Sequence, residues 1–255
     1  MIRIRVLPSH SLLKIFSFIL MTGFYFYLSQ PLGAQELSIN FNEGSGLTQR
    51  AFQLIALITI LSLAPSILVM VTSFTRIVVV LSLLRTAIGI QQSPPNSVMI
   101  SLALFLTAFV MAPVLEQSYK EGIVPLMQEK IELKDAFPLV AKPFHAFMMK
   151  HVREKDLELF IDLSKIKKPD KAEDVPLQVL TPAFMISELR RAFEIGFLLF
   201  VPFIIIDLVV SSVLMSMGML MLPPIIISLP FKLIFFVLVD GWHMVAGSLI
   251  RSFGG

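Results

Sequence analysis

Cysteine is absent from this 255-residue chain, which excludes disulfide scaffolds, thiolate metal sites and cysteine nucleophiles together. Charge is scarce as well: only 15% of the residues are Asp, Glu, Lys or Arg, and the formal net charge is +3. The basic residues form no patch with interleaved aromatics, so there is no nucleic-acid footprint. Histidines occur at 10, 145, 151 and 243 without metal-ligand spacing, and no G-x-S-x-G, H-E-x-x-H or P-loop pattern is present. No catalytic residue, cofactor or metal is expected.

What the chain has in abundance is apolar sequence. Hydrophobic residues make up 56% and the mean hydropathy is +0.82, which places the chain in the membrane class. Its length can supply about four spans and one small extramembrane part. Arg3, Arg5 and Lys14 precede an apolar stretch from Ile15 to Tyr27, and Leu32-Gly33-Ala34 stands before Gln35. That order reads as a cleaved signal peptide over residues 1–34, with an uncleaved anchor over Ile15–Gln35 as the other reading. A cleaved signal puts the mature N-terminus outside, so four crossings would return the C-terminus there and place 120–181 outside too.

The mature chain divides into three parts. In 35–119, Ala51 to Thr75 is uncharged, interrupted by Pro65, and the run continues past Arg76 to Leu84. Paired prolines in QQSPPN (Gln91–Asn96) end it, and a second run from Val98 to Leu115 closes at Glu116. The spacing predicts a first membrane helical hairpin. Residues 120–181 carry more than half of all the charges. Phe144, Met148, Val152, Leu157, Phe160 and Ile161 recur there at helical spacing, which predicts a small extramembrane domain of two or three amphipathic helices. The last part, 182–255, opens at Thr181-Pro182, a capping hydroxyl before a first-turn proline. The fold class expected is all-α, a multi-helix membrane protein.

The C-terminal part breaks the rules for lipid-facing helices. It buries Asp207, Lys232 and Asp240 in apolar sequence and is interrupted by Pro202, Pro223, Pro224 and Pro230. A charge in hydrocarbon costs several kcal/mol, and unpaired backbone amides cost about as much. Such a segment is tolerable where protein or a water-filled path surrounds it. Asp207 and Lys232 are therefore expected to pair with each other, within or between subunits, a proton relay through Asp207 being the rival reading. Met215, Met217, Met219 and Met221 fall at alternate positions, which gives no single face on a helix but one side of a looped backbone.

Three stretches carry a resemblance. TPAFMISELRRAFEIGF (Thr181–Phe197), SLPFKLIFFVLVDGW (Ser228–Trp242) and TSFTRIVVVLSLLRTAIGIQQSPPN (Thr72–Asn96) are similar to the hallmark segments of the FliP family of flagellar type III export gates. The similarity spans essentially the whole mature chain. It implies a homo-oligomeric ring, believed pentameric, assembled with FliR, FliQ and other export-apparatus proteins in the bacterial inner membrane at the flagellar basal body. Unfolded flagellar subunits would pass through that gate. A homologous gate of a virulence injectisome is one alternative, and a proton or ion channel is another of a different class. The resemblance further implies that much of the apolar sequence is raised out of the bilayer and packed helix on helix, and that Met215–Met221 forms a pore gasket. There this chain has Met219-Leu220-Met221 where the family has an unbroken methionine run. Glu188, Arg190, Arg191 and Glu194 match the family signature and are expected to make contacts between subunits; a solvated helix face is the plainer alternative. Arg76 and Glu116 are further candidates for such contacts.

Overall fold

The computed structural model describes residues 47–90, 92–166, 169, 171–219 and 221–254. The expected signal peptide, residues 1–34, lies outside them, as does Leu220. Among the described residues all regular structure is helical and there is no strand. In chain order these are α1 (Leu47–Val71), α2 (Phe74–Ile88) and α3 (Asn96–Ser118), which passes through a π-helical turn (Tyr119–Ile123) into the short α4 (Val124–Met127). Then follow α5 (Leu133–His151), α6 (Glu154–Ser164), a 3-10 turn (Ala172–Asp174), α7 (Leu177–Ser216), α8 (Pro224–Leu238) and α9 (Gly241–Gly254). Residues from Thr59 onward form one compact unit, distinct from the residues before it, and the packing below is that of this unit.

The first apolar run does not break at Pro65. Helix α1 continues to Val71 and the chain turns at Thr72-Ser73, where Thr72 Oγ1 accepts the Phe74 amide at 3.4 Å, one of the four amides a helix start leaves free. What read as the tail of a membrane run is instead the central helix of the unit. Ile77, Val80, Leu81 and Leu84 recur at the three- and four-residue spacing of a helical stripe, and all four are fully or almost fully buried. Each such side chain contributes roughly 1.5–3 kcal/mol when removed from water. They join Leu180, Phe184 and Ala192 of α7 and Phe147 and Met148 of α5 in a single core. Gly196 of α7 makes close approach to α2 possible, since a Cβ there would collide with the Leu83 side chain.

Helix α2 turns back into α3 as the QQSPPN stretch predicts. Gly89, with φ of +91°, closes α2 by donating its amide to Thr86 O at 3.0 Å. Arg85 Nη1 then donates to Asn96 Oδ1 at 2.6 Å and to Pro94 O at 3.3 Å, tying the last turn of α2 to the first of α3.

Helix α7 differs most from expectation. It starts at Leu177, capped by Pro176 rather than at Thr181-Pro182, and runs unbroken for 40 residues through Pro182 and Pro202. At 1.5 Å per residue it is about 60 Å long, twice the ~30 Å hydrocarbon core. One rod thus joins the charged middle region to the apolar C-terminal region. Proline inside a helix forfeits a hydrogen bond; neighbouring helices offset that loss, with α2, α5, α6 and α8 all packed on α7. Among the described residues two helical stretches are long and apolar enough to cross a bilayer, Asn96–Met127 and Leu177–Ser216, and a third exists if the pair α8 and α9, bent by 63°, counts as one.

Candidate functional site

The methionine segment is where α7 stops. Met219 N donates to Leu214 O and Gly218 N to Met215 O, at 3.0 and 3.1 Å, the paired bonds of a glycine-closed helix end. Gly218 supplies the required left-handed conformation, with φ of +76°. Met215 is therefore still helical, Met217 caps, and Met219 and Met221 stand in the loop leading to Pro223-Pro224. This is a helix-closing turn, not a uniformly extended strand. All four side chains are nonetheless exposed, from 44% for Met219 to 98% for Met221. Because nothing stands within 4 Å of a Cβ at Gly218, Gly218→Ala meets no collision and costs only the left-handed strain, about 1 kcal/mol. The expected result is a subunit that folds with normal α7 but a displaced methionine loop, read by accessibility of Met219 and Met221 to oxidation.

Asp207 and Lys232 lie together. Lys232 Nζ is 2.7 Å from Asp207 Oδ2 and donates to Ala87 O at 3.2 Å, while Ser228 Oγ donates to Asp207 Oδ1 at 2.6 Å. Ala87 lies in the last turn of α2, whose carbonyls lack intrahelical partners and carry the negative end of the helix dipole. One buried ammonium thus fastens α2, α7 and α8. Asp240 is not part of this cluster; it occupies the bend between α8 and α9 at φ of +50°, exposed and 3.7 Å from His243 Nδ1.

A second cluster follows the same plan, and sequence spacing does not reveal it. Arg76 Nε donates to Glu188 Oε2 at 2.9 Å, and Nη2 donates to Oε1 of the same carboxylate. Nη1 donates to Ser252 O and Oγ at 3.1 and 3.0 Å, and the guanidinium lies over the Phe253 ring, 3.7 Å from its centroid. Both charged side chains are buried. Arg76 therefore links α2, α7 and the C-terminal end of α9, using the fork geometry and planar face that lysine lacks. Its one signal at the level of sequence is a lone arginine inside an otherwise uncharged stretch.

This pairing separates Glu188 from the other signature charges. Glu188 has no exposed surface and is engaged inside the subunit, so it is not a surface group offered to a neighbour, and the same holds for Arg76. Arg190, Arg191 and Glu194 remain outside: Glu194 accepts from Arg190 Nε at 3.1 Å and Arg191 Nη1 at 3.3 Å, all three exposed. Glu116 is also exposed, paired with Lys120 one turn later.

The FliP family model matches residues 57–249, a stretch that contains both ion pairs and the methionine loop. The chain belongs to the FliP family. Its relatives include the flagellar biosynthetic protein FliP of Caulobacter vibrioides, 66% identical, with 85% of this chain and 82% of the relative covered. That of Bacillus subtilis is 55% identical over 79% of this chain and 91% of the relative. That of Aquifex aeolicus is 49% identical over 92% and 96% respectively. A FliP-family chain with helices of this length and hydropathy is a membrane-associated flagellar biosynthesis protein. Among the described residues of this FliP-family chain no group of His, Asp and Glu could hold a metal.

Proposed function

We propose that this FliP-family chain is a subunit of the flagellar type III export gate. Copies of it, five in the assembled ring, join FliQ and FliR in the bacterial inner membrane at the flagellar basal body, and unfolded flagellar subunits thread the pore they enclose. The observation that carries the proposal is the end of the 40-residue α7 and the loop that follows it, where Met215, Met217, Met219 and Met221 are all exposed. Family membership supplies the flagellar context.

The chemistry fits a seal around a moving chain. Four thioether side chains are apolar, unbranched and flexible, so a ring of them can close on side chains of many shapes. They offer no strong hydrogen bond that would hold one sequence longer than another. The glycine-closed end of α7 fixes where the loop begins, and the two buried ion pairs hold the helices behind it. The exposed Arg190, Arg191 and Glu194 are the groups we assign to contacts in the assembly; the role is one of assembly and conduction, without a reaction of the chain's own. The domains we assign are a membrane hairpin region 35–119, an extramembrane part 120–181 and a C-terminal helical pair with the pore loop over 182–255.

Replacing Met217, Met219 and Met221 together by serine tests the seal. The expected outcome is an assembled complex whose closed state leaks ions, seen as a rise in membrane conductance and salt sensitivity, with export retained or reduced. Unchanged conductance with normal export would overturn the gasket assignment.

A further inference from the structure

Between Phe197 and Ile250 the ionisable residues are Asp207, Lys232, Asp240 and His243. Asp207 and Lys232 neutralise each other inside the subunit, as Arg76 and Glu188 do. Asp240 is left over. Among the described residues its carboxylate has one ionic contact, with His243 Nδ1 at 3.7 Å. That imidazole is a cation only when protonated. Both side chains are exposed, so the contact is a loose one.

The elbow that carries Asp240 is firmly built. Gly241 passes so close to Phe236 that a Cβ there would meet its ring. Trp242 packs edge-on against the same ring, centroids 5.3 Å apart, and Phe236 is itself buried beside Phe203. The Asp240 amide donates to Val237 O and its carbonyl accepts from Met244 N, both at 3.1 Å. The main chain is thus satisfied, and the carboxylate has no duty in holding the bend. At φ of +50° glycine or asparagine would serve the backbone at least as well. The negative charge is therefore not explained from within the subunit.

Its surroundings point outward. Val237 is 74% exposed, Leu238 79% and the Asp240 side chain 78%, with Trp242 and Met244 exposed beyond them. Contiguous apolar surface of this kind marks a face that another body covers. Covering it takes Asp240 out of water, and a carboxylate buried without a cation carries a heavy penalty. A wholly apolar cover is thus rejected, whereas one that brings a cation is selected. We propose that the α8–α9 elbow is a docking face for an apolar helix of another subunit, and that Asp240 receives a single lysine or arginine from it. The third charge of the apolar region then follows the plan of the other two, with its partner supplied from outside. The inference rests on the export-gate reading, in which this chain is one subunit among several.

Native mass spectrometry of the detergent-purified complex, expressed with its flagellar partners, tests it. Asp240→Asn keeps the shape and suits the φ but drops the charge, and should lower the fraction of intact complex roughly tenfold. Asp240→Lys should lower it further, like charge then facing like charge. His243→Ala should leave the complex intact. A complex that Asp240→Lys leaves at the wild-type level would overturn the proposal, and so would a loss in His243→Ala equal to that in Asp240→Asn, which would make the pair an internal one. A second measurement does not depend on how the charge variants fold. Benzoylphenylalanine in place of the exposed Leu238, in an otherwise wild-type chain, should couple on irradiation to another subunit, at a helix that carries a lysine or arginine. Coupling confined to lipid, or to a chain in transit, would overturn the docking face. A wild-type chain that purifies alone would overturn the export-gate reading together with this one, whereas a wild-type complex indifferent to Asp240→Lys would overturn this one only.

Discussion

Arg76→Ala is expected to destabilise the folded subunit by about 3–5 kcal/mol, because it leaves the Glu188 carboxylate buried without its cation. Glu188 has no exposed surface through which water could compensate. The substitution also removes the donors to Ser252 O and Oγ and the contact with Phe253, so α9 loses its fastening to α2 in the same step. Glu188→Ala should cost a similar amount by stranding the guanidinium. The double variant Arg76→Met/Glu188→Met should recover much of the loss, since packed apolar side chains replace buried ion pairs at little net cost. Arg76→Lys should not rescue, because one ammonium cannot bond both Glu188 oxygens and also reach Ser252. Thermal unfolding in detergent reads these effects; each single substitution should lower Tm by roughly 10 °C. Equal stability of Arg76→Ala and wild type would contradict the placement of this pair.

The second large effect is asymmetric. Asp207→Ala is expected to cost about 3 kcal/mol and to exceed the cost of Lys232→Met. Lys232 is almost entirely buried, whereas the Asp207 side chain keeps 32% of its surface exposed. Removing the carboxylate strands an ammonium with only Ala87 O to accept from it. Removing the ammonium leaves a carboxylate that still accepts from Ser228 and touches water. Asp207→Asn should be mildest, since an amide oxygen can keep accepting from Ser228 and Lys232. Measuring complex yield, Tm and flagellar export for the three variants separates a structural pair from a proton relay. A structural pair predicts that export falls in proportion to assembly. Full assembly of Asp207→Asn with export lost would instead support the relay.

How far these features were visible in the sequence depends on the range over which they act. The helical class and the α2–α3 hairpin were legible because apolar run length and the QQSPPN prolines act locally. Asp207 and Lys232 drew attention because each is an isolated charge in an apolar run, and the two runs are consecutive. Arg76 and Glu188 lie in different parts of the chain, and nothing in local spacing ties one to the other. Glu188 stands in the family-like signature and Arg76 at the end of an apolar run, so the sequence offers both as candidates for contacts between subunits. The burial of α2 is not legible for a related reason: an apolar stretch looks alike whether lipid or protein covers it. By local preference Pro182 marks a helix start and Pro202 an interruption. The helix passes through both because packing on four neighbouring helices offsets the missing backbone bonds, a tertiary effect that residue preferences do not contain. The alternate methionines suggest a looped backbone, and they straddle the turn that closes a helix at Gly218, a split that their spacing alone does not show.

The claim on which the rest depends is that this chain works as one subunit of an enclosed protein-conducting assembly. Native mass spectrometry of the detergent-purified protein, expressed with its flagellar partners, tests it directly. The account predicts a discrete complex containing several copies, five in the ring proposed above, together with FliR and FliQ. A lone monomer, or a single purified chain that conducts ions by itself, would contradict it.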